Sequence, residues 1–431
     1  MNKLTGKTLV PELRFPEFRD AGEWERIELG CIGKVSMCKR ILKDETRPDG
    51  DVPFYKIGTF GKQADAYIDR ETYENYKSKY SYPKKGDILI SASGTIGRLV
   101  VFDGAEAYFQ DSNIVWIDNN QDLVKNEFLF YCYGCIKWVT DDNTIARLYN
   151  DNLRHMNMLI TSISEQQKIA DCLSSIDNLI TAHTQKHNAL KAHKKSLMQQ
   201  LFPAEGETLP KLRFPEFRGE WNDELLEKLY DFKVTNSYSR DKLNYEKGTV
   251  KNIHYGDIHT KFSTLFDIKK ETVPFINSSE SLEKIRPECF CMEGDLIFAD
   301  ASEDMDDVGK SIEIINLNNE KLLSGLHTIL ARQKDEKLLI GFSGHLFKSN
   351  RIRVQIKKEA QGAKILGLSL GRMLNVKVSY PADKKEQQKI ADCLSVIDEL
   401  ITVQSEKIES LKIYKKGLMQ KLFPSTDEMN G

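Results

Sequence analysis

Few residues in this chain stand at spacings that could carry out chemistry. Cys132-x-x-Cys135 and Cys289-x-Cys291 could ligate zinc through thiolates, but each lacks the second pair that a zinc finger needs. Cys172 and Cys393 fall within helical patterns, where cysteine acts as a small apolar filler. Gly309-Lys310-Ser311 ends like a phosphate-binding loop, yet Asp304 occupies the position of the leading glycine. Gly94-Thr-Ile-Gly97 has too few glycines for a nucleotide fingerprint and reads as a turn. The acidic run from Asp300 to Asp307 could hold a metal ion and serve a nuclease, although a solvated loop is the simpler reading. The expectation is a non-catalytic chain that binds no metal or cofactor of its own.

What remains is hydrogen-bonding and cationic chemistry. Sixty-two basic against 64 acidic side chains leave a net charge of −2, so binding of a polyanion would rest on local patches. Such patches exist. Residues 233–270 carry eight Lys/Arg against four Asp/Glu, 348–364 carry six against one, and 34–70 carry eight against six. Phosphates are held by Lys and Arg with small polar donors, and base edges are read by Arg, Lys, Asn, Gln, Ser or Thr at loop tips. On that basis the candidate nucleic-acid contacts in the first half are Lys39, Arg40, Lys56, Thr59, Lys62, Ser93, Thr95 and Arg98. In the second half they are Tyr238, Arg240, Lys251, His254, Tyr255, His259, Lys261, Lys348 and Arg351.

The elements that must position these residues are betrayed by an internal repeat. Pro11-Glu-Leu-Arg-Phe-Pro-Glu-Phe-Arg19 returns as Pro210-Lys-Leu-Arg-Phe-Pro-Glu-Phe-Arg218, each followed by a tryptophan, Trp24 or Trp221. Glu165-Gln-Gln-Lys-Ile-Ala-Asp-Cys-Leu-Ser174 returns unchanged at Glu386 to Ser395, and 165–203 matches 386–424 at 26 of 39 positions. Between these borders lie stretches of little mutual likeness, roughly 25–160 and 222–380, apart from echoes such as Lys85-Gly-Asp-Ile-Leu-Ile90 against Glu293-Gly-Asp-Leu-Ile-Phe298. A fixed frame with variable inserts suits two modules doing one job on different targets.

The repeated borders read as helices. Ile169, Leu173, Ile176, Ile180, His183, His187, Leu190, Lys194, Leu197 and Leu201 alternate spacings of four and three, as do Ile390, Leu394, Ile397, Ile401, Gln404, Ile408, Leu411, Lys415, Leu418 and Leu422. That period is a coiled-coil seam, and each seam ends at Leu-Phe-Pro, where proline stops a helix. Such a helix would be about 54 Å long at 1.5 Å per residue. Parallel helices would force the compact second module to bridge that length between its own ends, so antiparallel pairing is expected, with a module at each end of a rod and a near-circular, pseudo-two-fold chain. The polar layers His183, His187 and Gln404 would then meet near the centre and fix the register.

The modules themselves read as α+β. Strands are expected at Asp87–Ile90, Asn113–Ile117, Asp295–Phe298 and Ile312–Ile315, turns at Gly94, Gly97, Gly104, Gly325 and Gly341, and helices around 123–140 and 335–347. The expected divisions are 1–160 and 204–380 for the modules, 161–203 and 381–424 for the helices, and 425–431 for a tail. Phe15, Phe18, Trp24 and their copies Phe214, Phe217 and Trp221 are expected to pack where each module seats on the helices.

Taken together, these segments resemble the specificity subunit of type I restriction–modification systems. The resemblance covers nearly the whole chain and includes Pro53-Phe-Tyr-Lys-Ile-Gly-Thr59, Gly86-Asp-Ile-Leu-Ile90, Ser93-Gly-Thr-Ile-Gly97 and Tyr255-Gly-Asp-Ile-His-Thr-Lys261. It implies two target-recognition domains that each read half of a split double-stranded DNA site, with the helices setting the gap. It also implies methyltransferase subunits, two per chain, that dock on the helices and carry S-adenosylmethionine to methylate adenine. A restriction and translocation subunit would use ATP and magnesium. The chain itself has no Asp/Asn-Pro-Pro-Tyr/Phe motif of the amino-methyltransferase kind. A cytoplasmic location is expected, because the first ten residues form no apolar signal core and no apolar run is long enough for a membrane span. The competing readings are a coiled-coil scaffold that never touches DNA and a self-contained nuclease using Asp300 and Glu303.

Overall fold

The computed structural model describes residues 9–136, 138, 147–283, 285–362 and 364–424, so the expected tail lies outside the described residues. Two helices of 39 residues dominate, Ile163–Leu201 and Lys384–Leu422, and each gives way at its Leu-Phe-Pro. Burial along them follows the alternating spacing. Ile169, Leu173, Ile176, Leu201, Ile390, Leu394, Ile397, Gln404, Ile408 and Leu422 are buried. Ile180, His183, His187, Leu190, Lys194, Leu197, Ile401, Leu411, Lys415 and Leu418 are half-buried. No helix among the described residues is long and apolar enough to cross a membrane.

The chain forms two compact units, one running to His183 and resuming at Glu406, the other running from Thr184 to Ser405. Both long helices contribute to both units. In the first unit Ile169, Ala170 and Leu173 share a core with Leu422 and Phe423, and the Lys415 ammonium reaches Asp177 at 2.6 Å. In the second, Leu201 and Phe202 share a core with Ile390, Ala391 and Leu394, and Lys194 reaches Asp398 at 2.5 Å. Within each unit the start of one helix therefore lies on the end of the other, which is antiparallel pairing. Asp177 and Lys194 align with Asp398 and Lys415 in the repeat, so one ion pair occurs twice.

The second repeated segment explains itself in the same way. Arg14 donates to both oxygens of Glu165 at 2.7 Å, while the Leu13 N–H donates to the Lys421 carbonyl at 2.8 Å. Arg213 donates to both oxygens of Glu386 at 2.8 Å, and the Leu212 N–H donates to the Gln200 carbonyl. Each Leu-Arg-Phe-Pro-Glu-Phe strap thus grips the first turn of one helix and the last turn of the other. Lys168 lies over Phe15 and pairs with Glu17, and Lys389 repeats both contacts with Phe214 and Glu216. The next residue of the motif seats the module. Gln166 accepts the Lys125 N–H and donates to the Leu123 and Thr161 carbonyls, and Gln387 does the same with Leu339, Lys337 and Pro381. Trp24 meets Phe423 and Phe128, and Trp221 meets Phe202. Phe15 and Phe214 pack against these cores, whereas Phe18 and Phe217 stay half-exposed.

The two modules share a plan. In the first, an antiparallel sheet orders Gly33–Ser36, Ile114–Asn119, Ile88–Ser91 and Leu99–Val101. Beside it stands a smaller sheet of Tyr67–Ile68, Val52–Tyr55 and Tyr108–Phe109, whose last two strands run parallel. The second module orders Tyr230–Lys233, Thr328–Gln333, Leu296–Ala299, Ser311–Asn316 and Leu265–Asp267, beside Leu243–Asn244, Phe275–Ile276, Lys251–Ile253 and Leu322–Ser324, again with a parallel last pair. All four expected strands are present. The Gly-Asp echo is a shared turn, in which Asp87 and Asp295 accept the N–H three residues upstream just before their strands. The helix expected around 123–140 is Asn126–Cys135. The one expected around 335–347 shrinks to Phe342–Leu346 because Gly341 takes φ 92°, the Gln333 side chain holds both backbone groups of Leu338, and the Leu339 N–H is drawn to Gln387.

Two outcomes test this packing. Glu165→Ala or Glu386→Ala leaves a largely buried guanidinium without its partner and should cost about 3–5 kcal/mol in denaturant unfolding. The second concerns Glu313, a buried strand residue whose carboxyl burial raises to a pKa of about 8 although the Gly344 N–H donates to it. A folded pKa above the unfolded one means stability falls as pH rises through that interval. The stability of Glu313→Gln relative to the native chain should therefore grow from about pH 4.5 to about 8 and then level off, as read from melts across that range.

Candidate nucleic-acid interface

In the first unit the parallel strands Val52–Tyr55 and Tyr108–Phe109 deliver two loops to one edge, 56–62 and 110–113, and the hairpin between Ile88–Ser91 and Leu99–Val101 adds 92–98. The loop 110–113 is the hub. The Gln110 N–H donates to the Tyr55 carbonyl at 2.9 Å, and its side-chain oxygen accepts the Ile57 N–H at 2.9 Å. Asp111 pairs with Arg40 at 2.9 Å, and Asn113 accepts from Ser93 at 2.9 Å. Arg98 donates to the Phe60 carbonyl, closing the 56–62 and 92–98 loops on each other. Ser112 sits at φ 53°, a left-handed conformation that a non-glycine residue adopts at a cost and that here shapes the loop.

Most candidates of the first half thus meet on one edge. Lys56 pairs with Asp65 at 2.8 Å, Thr59 closes the turn by accepting the Lys56 N–H, and the Thr95 carbonyl accepts from Ser91. Lys62 is exposed, and Lys39 lies over the Tyr80 ring. Gln110, Asn113 and Arg147, which bridges to Ser93, escaped the sequence reading because no charge run or motif marks them. Gly97 takes φ 79° and a Cβ there would meet the Trp138 indole, so Gly97→Ala should cost about 1–3 kcal/mol and lower the thermal midpoint.

The second unit builds the same edge from other side chains. The Gly325 N–H donates to the Ile253 carbonyl as Gln110 does to Tyr55, and the Asp300 N–H donates to the His327 carbonyl as Ala92 does to Asn113. The fully buried Asp257 carboxylate accepts from Arg240 and Lys261, each at 3.0 Å, and so holds both cations at the edge. The Tyr255 ring stands 4.6 Å from His254, 5.3 Å from His327 and 6.0 Å from His259. His327, at φ 55°, contacts Asp300 at 3.2 Å. Burial and the nearby Arg240 lower the pKa of His254; burial raises that of Asp300 against the pull of His327.

Four further candidates of the second half are held by partners outside this cluster. Tyr238 donates to the Ser281 carbonyl, and Lys251 pairs with Glu320 at 2.7 Å over the Phe275 ring. Lys348 donates to Thr264, with burial and Lys194 pushing its pKa down to about 7. Arg351 holds the Glu207 carbonyl and Asp223. The 348–364 charge run is mostly a helix, Asn350–Glu359, rather than a loop tip. In the acidic run Asp306 pairs with Lys357 and Asp307 with Lys310. Among the described residues no group of three or more His, Cys, Asp or Glu is placed to share a metal. All eight cysteines are free, and burial raises the pKa of Cys132 and Cys291.

Residues 21–192 and 240–412 match the family model of the type I restriction modification DNA specificity domain. Over 160 residues the chain is 58% identical to a Haemophilus influenzae protein provisionally named type I restriction enzyme specificity subunit S.HindORF215P, a stretch that makes up 37% of this chain and 42% of that protein. It is 24% identical to the type I restriction enzyme MjaVIII specificity subunit of Methanocaldococcus jannaschii, covering 95% of this chain and 93% of that one. A crystal structure of the type I restriction-modification S subunit from M. genitalium superimposes with a TM-score of 0.58 at 14% identity, over 96% of this chain and 99% of that one. A second structure, from work on complex assembly and conformational transition of the type I R-M system, gives a TM-score of 0.50 at 14% identity, over 93% and 97%.

Proposed function

Because the chain belongs to the type I restriction modification DNA specificity family, we propose that it is the subunit that selects the DNA target of such a system, each unit reading one half of an interrupted duplex site. The observation that carries this reading is the pair of equivalent edges. One hydrogen-bonded frame presents Gln110, Asn113, Ser93 and Arg98 in the first unit and Arg240, Tyr255, His259, Lys261 and His327 in the second. Common geometry with different donors and acceptors suits two readers of different sequences. Adenine methylation then comes from partner subunits carrying S-adenosylmethionine, and ATP- and magnesium-dependent translocation and cleavage from a restriction partner. The helix Lys384–Leu422 offers a partner exposed Val396, Leu400 and Val403 at one-turn spacing, a surface suited to helix docking.

The test is a methylation assay with the purified complex. Methyl transfer should require both half-sites, and activity indifferent to either half would overturn the reading. The helices also set the spacer. Inserting four residues into both should lengthen the preferred gap by about one or two base pairs, since the added rise is about 6 Å against about 3.4 Å per base-pair step. Both half-site sequences should stay the same.

A further inference from the structure

Gln110 occupies the best-defined position on the first unit's edge. Its backbone N–H is fixed on the Tyr55 carbonyl and its side-chain oxygen on the Ile57 N–H. A backbone N–H can only donate, so this bond settles which end of the amide is oxygen. The NH2 group has no hydrogen-bond partner among the described residues, and the residue is half-exposed. Three residues on, Asn113 repeats the arrangement, with its oxygen taken by Ser93. An unrestrained glutamine or asparagine reads adenine by offering an oxygen and an NH2 together. Here both oxygens are turned to the protein, and the edge offers donors.

From this geometry we infer that Gln110 is a specificity-determining residue that donates to guanine in the half-site read by the first unit. Guanine is the base whose major-groove edge carries two acceptors, N7 and O6, and no donor. The assignment rests on the function proposed above. It is confined to one half-site, because the equivalent position in the second unit is Gly325. A Cβ there would stand 2.4 Å from both the Asn252 side chain and the Ile253 carbonyl, so no side chain can project from it.

The experiment maps adenine methylation across a host genome that expresses the full chain with its methyltransferase partner. Gln110→Glu keeps an acceptor for the Ile57 N–H, and hence the loop, while replacing the outward NH2 with an acceptor oxygen. Methylation of the native motif should fall at least tenfold, the first half-site should lose its preference for one guanine, and the second half-site should be unchanged. Gln110→Ala should relax the same position without creating a new preference. Native-motif methylation within twofold in the Glu variant, or a change confined to the second half-site, overturns the inference. If the native complex gives no two-part motif at all, the proposed function fails instead. An unaltered melting temperature for Gln110→Glu separates lost recognition from lost folding.

Discussion

Two carboxylates, Glu165 and Glu386, sit in the first turns of the long helices almost without solvent. A buried carboxylate is tolerable only when neutralised and hydrogen-bonded, and the helix N-terminus supplies just part of that compensation. Arg14 and Arg213 complete it, each arriving on a strap whose preceding residue is bonded to the far end of the other helix. The electrostatic demand of one group therefore fixes the register of two helices and the point where a module is seated. The neighbouring glutamines extend this constraint into the modules through three hydrogen bonds apiece.

Charge on the seam serves the same end. Lys194 and Lys415 occupy positions where a leucine would continue the apolar stripe, yet each extends to an aspartate on the partner helix. In the first unit Tyr131 adds a hydrogen bond to Asp177, and its ring lies beneath the Lys415 ammonium, so the module takes part in the pairing. An apolar seam alone tolerates slippage by a heptad; these pairs penalise it.

Much of this frame was legible in the sequence because it is written twice. The period of the helices, their stops at Pro203 and Pro424 and their antiparallel sense follow from spacing and connectivity. The roles of Arg14 and Gln166 did not, since a repeated residue announces that it matters without saying what it touches. At the edges, charge counting singled out Lys56, Arg240 and Lys261 and passed over Gln110, Asn113 and His327, which lie in no charge run. Their placement arises from parallel strand pairing between segments 54 and 71 residues apart, 54 with 108 and 253 with 324, and from left-handed turns at Ser112 and His327. Neither property is local. The same counting selected Lys348 and Arg351, whose partners Thr264, Glu207 and Asp223 lie far away in the chain.

The near identity of the two seats has an evolutionary consequence. Because each variable stretch is preceded by the same strap and followed by the same Glu-Gln-Gln turn, recombination within these borders would join a foreign insert to a seat that already fits it. The host frame would need no compensating change.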